Sequence, residues 1–324
     1  MSTRFTRREA IKALGAASAL GAIGVHPSAA QDQASRTRRR VLRVAHLTDI
    51  HVEPERNAPV GLASCLRHVQ SLKDKPELIL FGGDAVMDSF EADDARTKVQ
   101  WDLWKKIFKD ECSLPVQACI GNHDIWGGNK AKSRTTGDEP NYGKKRAMEN
   151  FAIAERYRSF ESPRGEWHFI VLDSAQVDGD GYKAVLDEPQ FEWLASDLKS
   201  VDPKTPVLVL SHIPIVSATV IVGAADQPRS EWNISGSLLH LDAIRLKNLF
   251  NAHPNVKLCL SGHVHLVDRV DYNGVSYLCN GAVSGAWWKG KNKECSEGYA
   301  VIDLFDDGTF EHQYITYGWQ AAPA

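Results

Sequence analysis

Short apolar runs alternate along this chain with amphipathic stretches, and most of the runs end on a small or polar block. Val41 to Thr48 has the composition of a buried strand, and Leu62, Cys65, Leu66, Val69 and Leu72 then recur at a helical period. Leu78 to Phe81 predicts a second strand, Val99, Leu103, Trp104, Ile107 and Phe108 the apolar face of a second helix, and Val116 to Ile120 a third strand. Further on, Trp167 to Asp173, Val207 to Leu210 and Val256 to Leu260 predict strands, with helices over Gln190 to Lys199 and Leu239 to Phe250. This order predicts βαβ units, whose functional side chains sit at the carboxyl ends of parallel strands.

The end of the chain changes character. Asn273-Gly274 sits between Val267–Tyr272 and Val275–Leu278, and Asp307-Gly308 between Tyr299–Phe305 and Thr309–Tyr317; both are hairpin signals. An antiparallel ending after parallel units predicts an α/β protein built as an αββα sandwich, two mixed sheets flanked by helices. Two stretches, Ile125 to Lys145 and Ser217 to Gly236, carry little periodicity and predict long functional loops. In the first, Lys130, Lys132, Arg134, Lys144, Lys145 and Arg146 either attract an anion or are simply solvated; in the second, Asp226 to Asn233, with Arg229 and Trp232, can lie over a cleft.

The start of the chain stands apart. Arg7-Arg8 with Ile11 and Lys12 behind them, an Ala/Gly-rich apolar run from Ala13 to Val25 and small residues at Ser28-Ala29-Ala30 describe an export leader, and the paired arginines resemble the twin-arginine type. The predicted organisation is a leader over 1–30, a polar linker over 31–40 and one domain over 41–319. A mature form without a transmembrane anchor, periplasmic or secreted, is expected.

Composition adds less. A net charge of −3 gives no basic surplus, so no obligatory nucleic-acid partner is expected. The six cysteines have no C-x-x-C spacing. Export permits disulfides, with Cys112–Cys119 and Cys279–Cys295 as the candidate pairs, whereas Cys65 and Cys259 sit in apolar patterns and read as core.

The chemistry lies in five blocks that follow the apolar runs: Asp49-Ile50-His51, Gly83-Asp84, Gly121-Asn122-His123-Asp124, Ser211-His212 and Gly262-His263-Val264-His265. Taken singly, each is a common turn or cap. Together they supply carboxylates, imidazoles and an amide oxygen without thiolate, a donor set for Mn, Fe, Zn or Co. In an extended strand end, residues i and i+2 share a side, so Asp49/His51 and His263/His265 are each expected to aim two ligands into one cleft. Asp84 can bridge two cations, and Gly82, Gly83, Gly121 and Gly262 permit close turns. Outside the leader, the six other histidines, His46, His68, His168, His240, His253 and His312, read as ordinary structural residues.

The ordered set Asp-x-His, Gly-Asp, Gly-Asn-His-Asp, His and Gly-His-x-His, spanning Asp49 to His265, resembles the calcineurin-like metallophosphoesterase family. The resemblance implies that Asp49, His51 and His265 bind one metal ion, Asn122, His212 and His263 a second, and that Asp84 bridges them. It implies a catalytic, non-ligand role for His123 and an orienting role for Asp124. It further implies hydrolysis of a phosphoester by in-line attack of a metal-activated water, with a small phosphoester or lipid headgroup as substrate. Met87 stands where the purple acid phosphatases carry a tyrosine ligand, which points away from that branch. The Leu172-Asp173-Ser174 turn is most similar to the branch of bacterial cyclic-nucleotide and glycerophosphodiester phosphodiesterases, with a phosphomonoesterase, a nuclease or a non-catalytic scaffold as alternatives. Trp287 and Trp288, beyond the last block, either wall the site or fill the core.

Overall fold

The computed structural model describes residues 38–224 and 232–321. The leader, the linker up to residue 37, and most of the segment read as lying over the cleft fall outside the described residues. Two large mixed sheets form the body. The first orders β1 (Arg40–Leu47), β2 (Leu78–Phe81), β3 (Val116–Ala118), β12 (Gly298–Phe305) and β13 (Phe310–Thr316) as β13-β12-β1-β2-β3. The second orders β4 (Arg158–Glu161), β5 (His168–Val171), β8 (Val207–Leu210), β9 (Val256–Ser261), β10 (Asp268–Tyr272) and β11 (Val275–Cys279) as β10-β11-β9-β8-β5-β4. A small separate hairpin joins β6 (Ala175–Asp178) to β7 (Gly181–Ala184).

The strands alternate their side chains between two cores, which is what a sheet buried on both faces requires. In β2, Leu78 and Leu80 face the other sheet, while Ile79 and Phe81 face the helices. In β8, Leu208 and Leu210 face inward, while Val207 and Val209 meet the opposite helix layer. The inner core lies between the sheets. One outer core is closed by α1 (Ala58–Ser71) and α2 (Asp94–Glu111), the other by α5 (Glu188–Ser200) and α7 (Ala243–Ala252). This is the expected αββα sandwich. β1, β2 and β3 are mutually parallel, as are β5, β8 and β9, so within each sheet their carboxyl ends emerge together.

Several local expectations shift. Val99 is 46% exposed, and Trp101 takes the buried position on α2 instead. The 125–145 stretch contains a one-turn helix, α3 (Lys130–Ser133), capped by the Asn129 side chain, and α4 (Lys144–Phe151) begins inside it. Its basic residues are largely neutralised. Lys132 pairs with Glu91 at 2.7 Å, Lys144 with buried Asp173 at 2.7 Å, and Arg146 bonds Asp94 while stacking 3.7 Å from the Trp126 ring. A further short helix, α6 (Val220–Ala224), lies in the second irregular stretch.

Neither proposed disulfide forms, and all six cysteines are free. Cys119 is buried between the sheets whereas Cys112 packs on the helix side of the first sheet, so the sheet separates them. Cys279 turns its Sγ to the Gly262 carbonyl at 3.1 Å, and Cys295 faces the Tyr314 hydroxyl. Cys65 and Cys259 lie in the core, as expected.

Of the histidines outside the blocks, His168 on β5 is held between Glu161 at 2.7 Å and Asp197 at 2.8 Å. Burial opposes its charge, but the two carboxylates prevail and raise its pKa. A raised folded-state pKa stabilises fully below the unfolded value of about 6.5 and loses that contribution as pH climbs through the folded value. The stability gap between this chain and a His168→Gln variant, measured by urea unfolding, is therefore expected to be widest near pH 6 and to narrow toward pH 9. A gap that stays constant with pH would contradict the ionic reading.

Candidate metal centre

The blocks meet where five strands end. β1, β2 and β3 lead into Asp49 and His51, Asp84, and Asn122, while β8 and β9 of the other sheet lead into His212, His263 and His265. On one side, His51 Nε2 and His265 Nε2 approach to 3.1 Å, with Asp49 Oδ1 3.8 and 3.4 Å from them. On the other, His212 Nε2 lies 3.0 Å from Asn122 Oδ1 and 3.2 Å from His263 Nδ1. One oxygen reaches both sides: Asp84 Oδ2 is 3.6 Å from His51 Nε2 and 3.3 Å from His212 Nε2.

These atoms are mostly acceptors. His212 Nδ1 faces the Gly82 carbonyl at 2.7 Å and His265 Nδ1 the Gly285 carbonyl at 2.5 Å. A carbonyl only accepts, so each Nδ1 carries the proton and each Nε2 turns a lone pair into the cleft. Lone pairs and carboxylate oxygens so close repel unless positive charge lies among them. Among the described residues, Asp49 Oδ1 and His263 Nε2 are buried without any hydrogen-bond partner. Three overlapping groups among the described residues have ligand atoms within 4.8 Å of one another: Asp49/His51/His265, His51/Asp84/His123 and Asp84/His212/His263. The residues present fit two cations.

The electrostatics agree. Burial pushes the His51 imidazole well below its ordinary pKa and His263 down to about 3, leaving both neutral as metal ligation requires. Burial also opposes charge on His212, yet Asp84 and Asp49 raise it to about 9, so without a cation a second proton takes the Nε2 position that a metal ion would occupy.

The local backbone differs from the expected extended strand ends. β1 stops at Leu47, and Asp49, His51, Asp84, His263 and His265 all take left-handed conformations, with φ of 55°, 48°, 57°, 70° and 58°. Such a residue costs about 1–2 kcal/mol outside glycine. Backbone bonds hold these turns in place: Asp49 N to Gly83 O at 3.0 Å, His51 N to Asp84 O at 3.0 Å, and Val283 N to Thr48 O at 2.9 Å. Paired ligands share a cleft because the chain curls at each strand end, not because it remains pleated.

A family model of calcineurin-like phosphoesterases matches residues 42–267, most of the chain. This chain belongs to the calcineurin-like phosphoesterase family. It is a metal-dependent phosphoric ester hydrolase of that family, which works with a dinuclear metal centre. It is 26% identical over 285 residues to a 3',5'-cyclic-nucleotide phosphodiesterase of Nostoc sp., covering 83% of this chain and 90% of the relative. It is 25% identical over 219 residues to a probable glycerophosphodiester phosphodiesterase of Arcobacter nitrofigilis, covering 67% of each. Among solved structures, a dimetal phosphatase of Danio rerio matches with a TM-score of 0.57 at 16% identity, over 86% of this chain and all (100%) of that one, which shows the shared fold.

Within this metallophosphoesterase, Asp124 does not orient His123 through its carboxylate. Its oxygens accept from the amides of Asp84 at 2.9 Å, Ala85 at 2.8 Å and Gly121 at 2.8 Å, pinning the β2 and β3 turns together. Burial and the Asp84 charge push its carboxyl up to about 7, against the pull of the amide donors. His123 is oriented instead by the Met87 carbonyl, 2.5 Å from its Nδ1, and its own amide donates to Asp84 Oδ1 at 2.8 Å. Its ring stands edge-on to His51 with centroids 4.7 Å apart. The Met87 side chain packs on the helix-side core and offers the centre no ligand.

The two tryptophans separate. Trp288 is buried, donates its indole N–H to the His51 carbonyl at 3.0 Å and presses so closely on Gly61 that a Cβ there would overlap its ring. Trp287 stays 37% exposed, its ring 4.7 Å from that of His265 and 6.1 Å from that of His51. A residue the block reading missed, Tyr182 on β7, stands edge-on to His263 with centroids 6.0 Å apart. The Asp178-Gly179-Asp180-Gly181 run before it is a turn signal that marks the hairpin.

Gly121 shows how tightly the centre is built, because a Cβ there would collide with both the Asp84 carboxylate and its amide. Gly121→Ala is expected to displace Asp84 and lower the metal content of the purified chain, measured by elemental analysis. Full metal content with normal activity would contradict this geometry.

Proposed function

We propose that this chain is an exported phosphodiesterase in which Asp49, His51 and His265 hold one metal ion, Asn122, His212 and His263 hold another, and Asp84 bridges them. The observation that carries this reading is the position of Asp84 Oδ2, within 3.6 Å of His51 Nε2 and 3.3 Å of His212 Nε2, one oxygen reaching both donor groups. The donor set of imidazoles, carboxylates and one amide suits Mn, Fe, Zn or Co. When bound, a pair of such ions acidifies a shared water and neutralises a phosphoryl group.

The protein's own groups supply the remaining functions. The Met87 carbonyl fixes the proton on His123 Nδ1, so Nε2 is the atom free to exchange a proton with a phosphate oxygen or a leaving group. The three amide bonds to Asp124 keep Asp84 from turning away, and the Gly82 and Gly285 carbonyls set the tautomers of His212 and His265. A diester rather than a monoester as substrate is supported by the names of the two relatives above, and a small or lipid-headgroup ester by the lack of a basic surplus. Export is supported by the leader pattern around Arg7-Arg8.

Asp84→Asn and His212→Ala are each expected to reduce hydrolysis of bis(p-nitrophenyl) phosphate by more than the roughly 100-fold that loss of an outer-shell partner costs a metal site. The wild-type chain should carry two metal ions and prefer this diester to p-nitrophenyl phosphate. Substantial activity in either purified, metal-loaded variant would refute the assignment. Replacing Arg7 and Arg8 together by lysine is expected to leave the full-length chain in the cytoplasm of a bacterial host, read by fractionation; unchanged export would refute that part of the proposal.

A further inference from the structure

Trp287 has no evident structural reason to be where it is. Trp288 already fills the core beneath the centre and bonds the His51 carbonyl, and the Trp288 amide closes the turn on Ser284 O at 2.7 Å. Both tryptophans are nevertheless left-handed, with φ of 53° and 64°, a conformation that bulky residues avoid. This pair of turns brings a large aromatic ring onto the metal-ligand imidazoles while leaving it 37% exposed. Ser284 donates from its amide and hydroxyl to the Asp49 carbonyl at 3.2 and 2.8 Å, so the loop that carries Trp287 is tied to the ligand turn itself.

Tyr182 occupies the matching place at the other end. It stands beside His263 and is braced edge-on by Phe90, 5.8 Å away. Two aromatic rings thus flank the two donor groups that share Asp84, one at the His51/His265 end and one at the His263 end. A phosphate held over the centre would carry its substituents out toward these rings. Neither ring offers a fixed charge to a substituent, and each offers a flat apolar face or edge, which suits a planar group over a neutral polyol.

We propose that Trp287 is a specificity-determining stacking platform, and that the substrates of this chain are phosphoesters bearing a planar group, an aryl ring or a nucleobase, beside the reacting phosphate. This rests on the phosphodiesterase reading above and extends it to the substrate class. The competing account is that Trp287 only buttresses the His265 ring, in which case its loss would affect every ester and the metal content alike.

The test compares two diesters on the metal-loaded full chain, bis(p-nitrophenyl) phosphate and glycerophosphoglycerol. Trp287→Ala is expected to lower the aryl-to-alkyl ratio of kcat/KM roughly ten-fold, through KM for the aryl diester, with Trp287→Phe restoring most of it. Metal content serves as the control. An equal loss on both diesters, or an unchanged ratio, overturns the proposal. Calorimetric binding of adenosine 5'-monophosphate against inorganic phosphate separates the two readings. If the chain hydrolyses no ester at all, the phosphodiesterase reading fails, yet Trp287→Ala must still weaken the nucleotide selectively over phosphate. Equal weakening, or none, overturns the platform.

Discussion

Everything in this molecule is arranged around the repulsion among lone pairs at the strand ends. Two imidazole nitrogens 3.1 Å apart, an amide oxygen 3.0 Å from a third imidazole and a carboxylate oxygen within reach of both groups do not gather of their own accord. The rest of the fold supplies the rigidity that holds them there. Two close-packed sheets fix the ends of β1, β2, β3, β8 and β9, and a packed interior yields little to local strain. The bound cations that such a site requires return the stability that the crowding removes.

The strain is concentrated where the chemistry is. Five of the non-glycine residues that the blocks supply are left-handed, as are the two tryptophans behind them. Each such turn is tied to a neighbour on a different strand. Asp49 N bonds Gly83 O, Gly262 N bonds His212 O and Val283 N bonds Thr48 O, so no ligand turn can relax without moving another. Asp124 is the clearest case. It is a buried carboxylate serving the backbone of the centre, and the accuracy of Asp84 depends on its three amide bonds. Catalytic geometry of this kind is held from behind, by groups that never touch substrate.

On the stacking proposal, substrate preference comes from a different part of the chain. The donor atoms come from the parallel strands common to both sheets, whereas Tyr182 comes from a small hairpin outside them and Trp287 from the loop between β11 and β12. Neither ring supplies a donor atom to the centre. The scaffold would then separate reaction from recognition, as loops on a rigid framework commonly do.

The alternation of apolar residues was enough to forecast the two-sheet sandwich, because period-2 patterns such as Leu78-Ile79-Leu80-Phe81 must have a core on each face. The five blocks likewise predicted which residue types gather, since their order along the chain carries that information. Other features were not legible. Extended geometry was expected at Asp49 and His51, but the chain curls there, because the bonds that stabilise left-handed turns come from the turn after β2 and from the 283–284 segment. Cys112 and Cys119 are near in sequence and kept apart by a sheet. Asp124 sits next to His123 yet serves Asp84, and Trp287 and Trp288 are neighbours with opposite fates. Sequence by itself determined the inventory of donors and the layers that carry them, because both follow from residue type and period. Tertiary structure alone decided which atoms converge, which ring faces the cleft and which fills the core, because those depend on contacts between segments hundreds of residues apart.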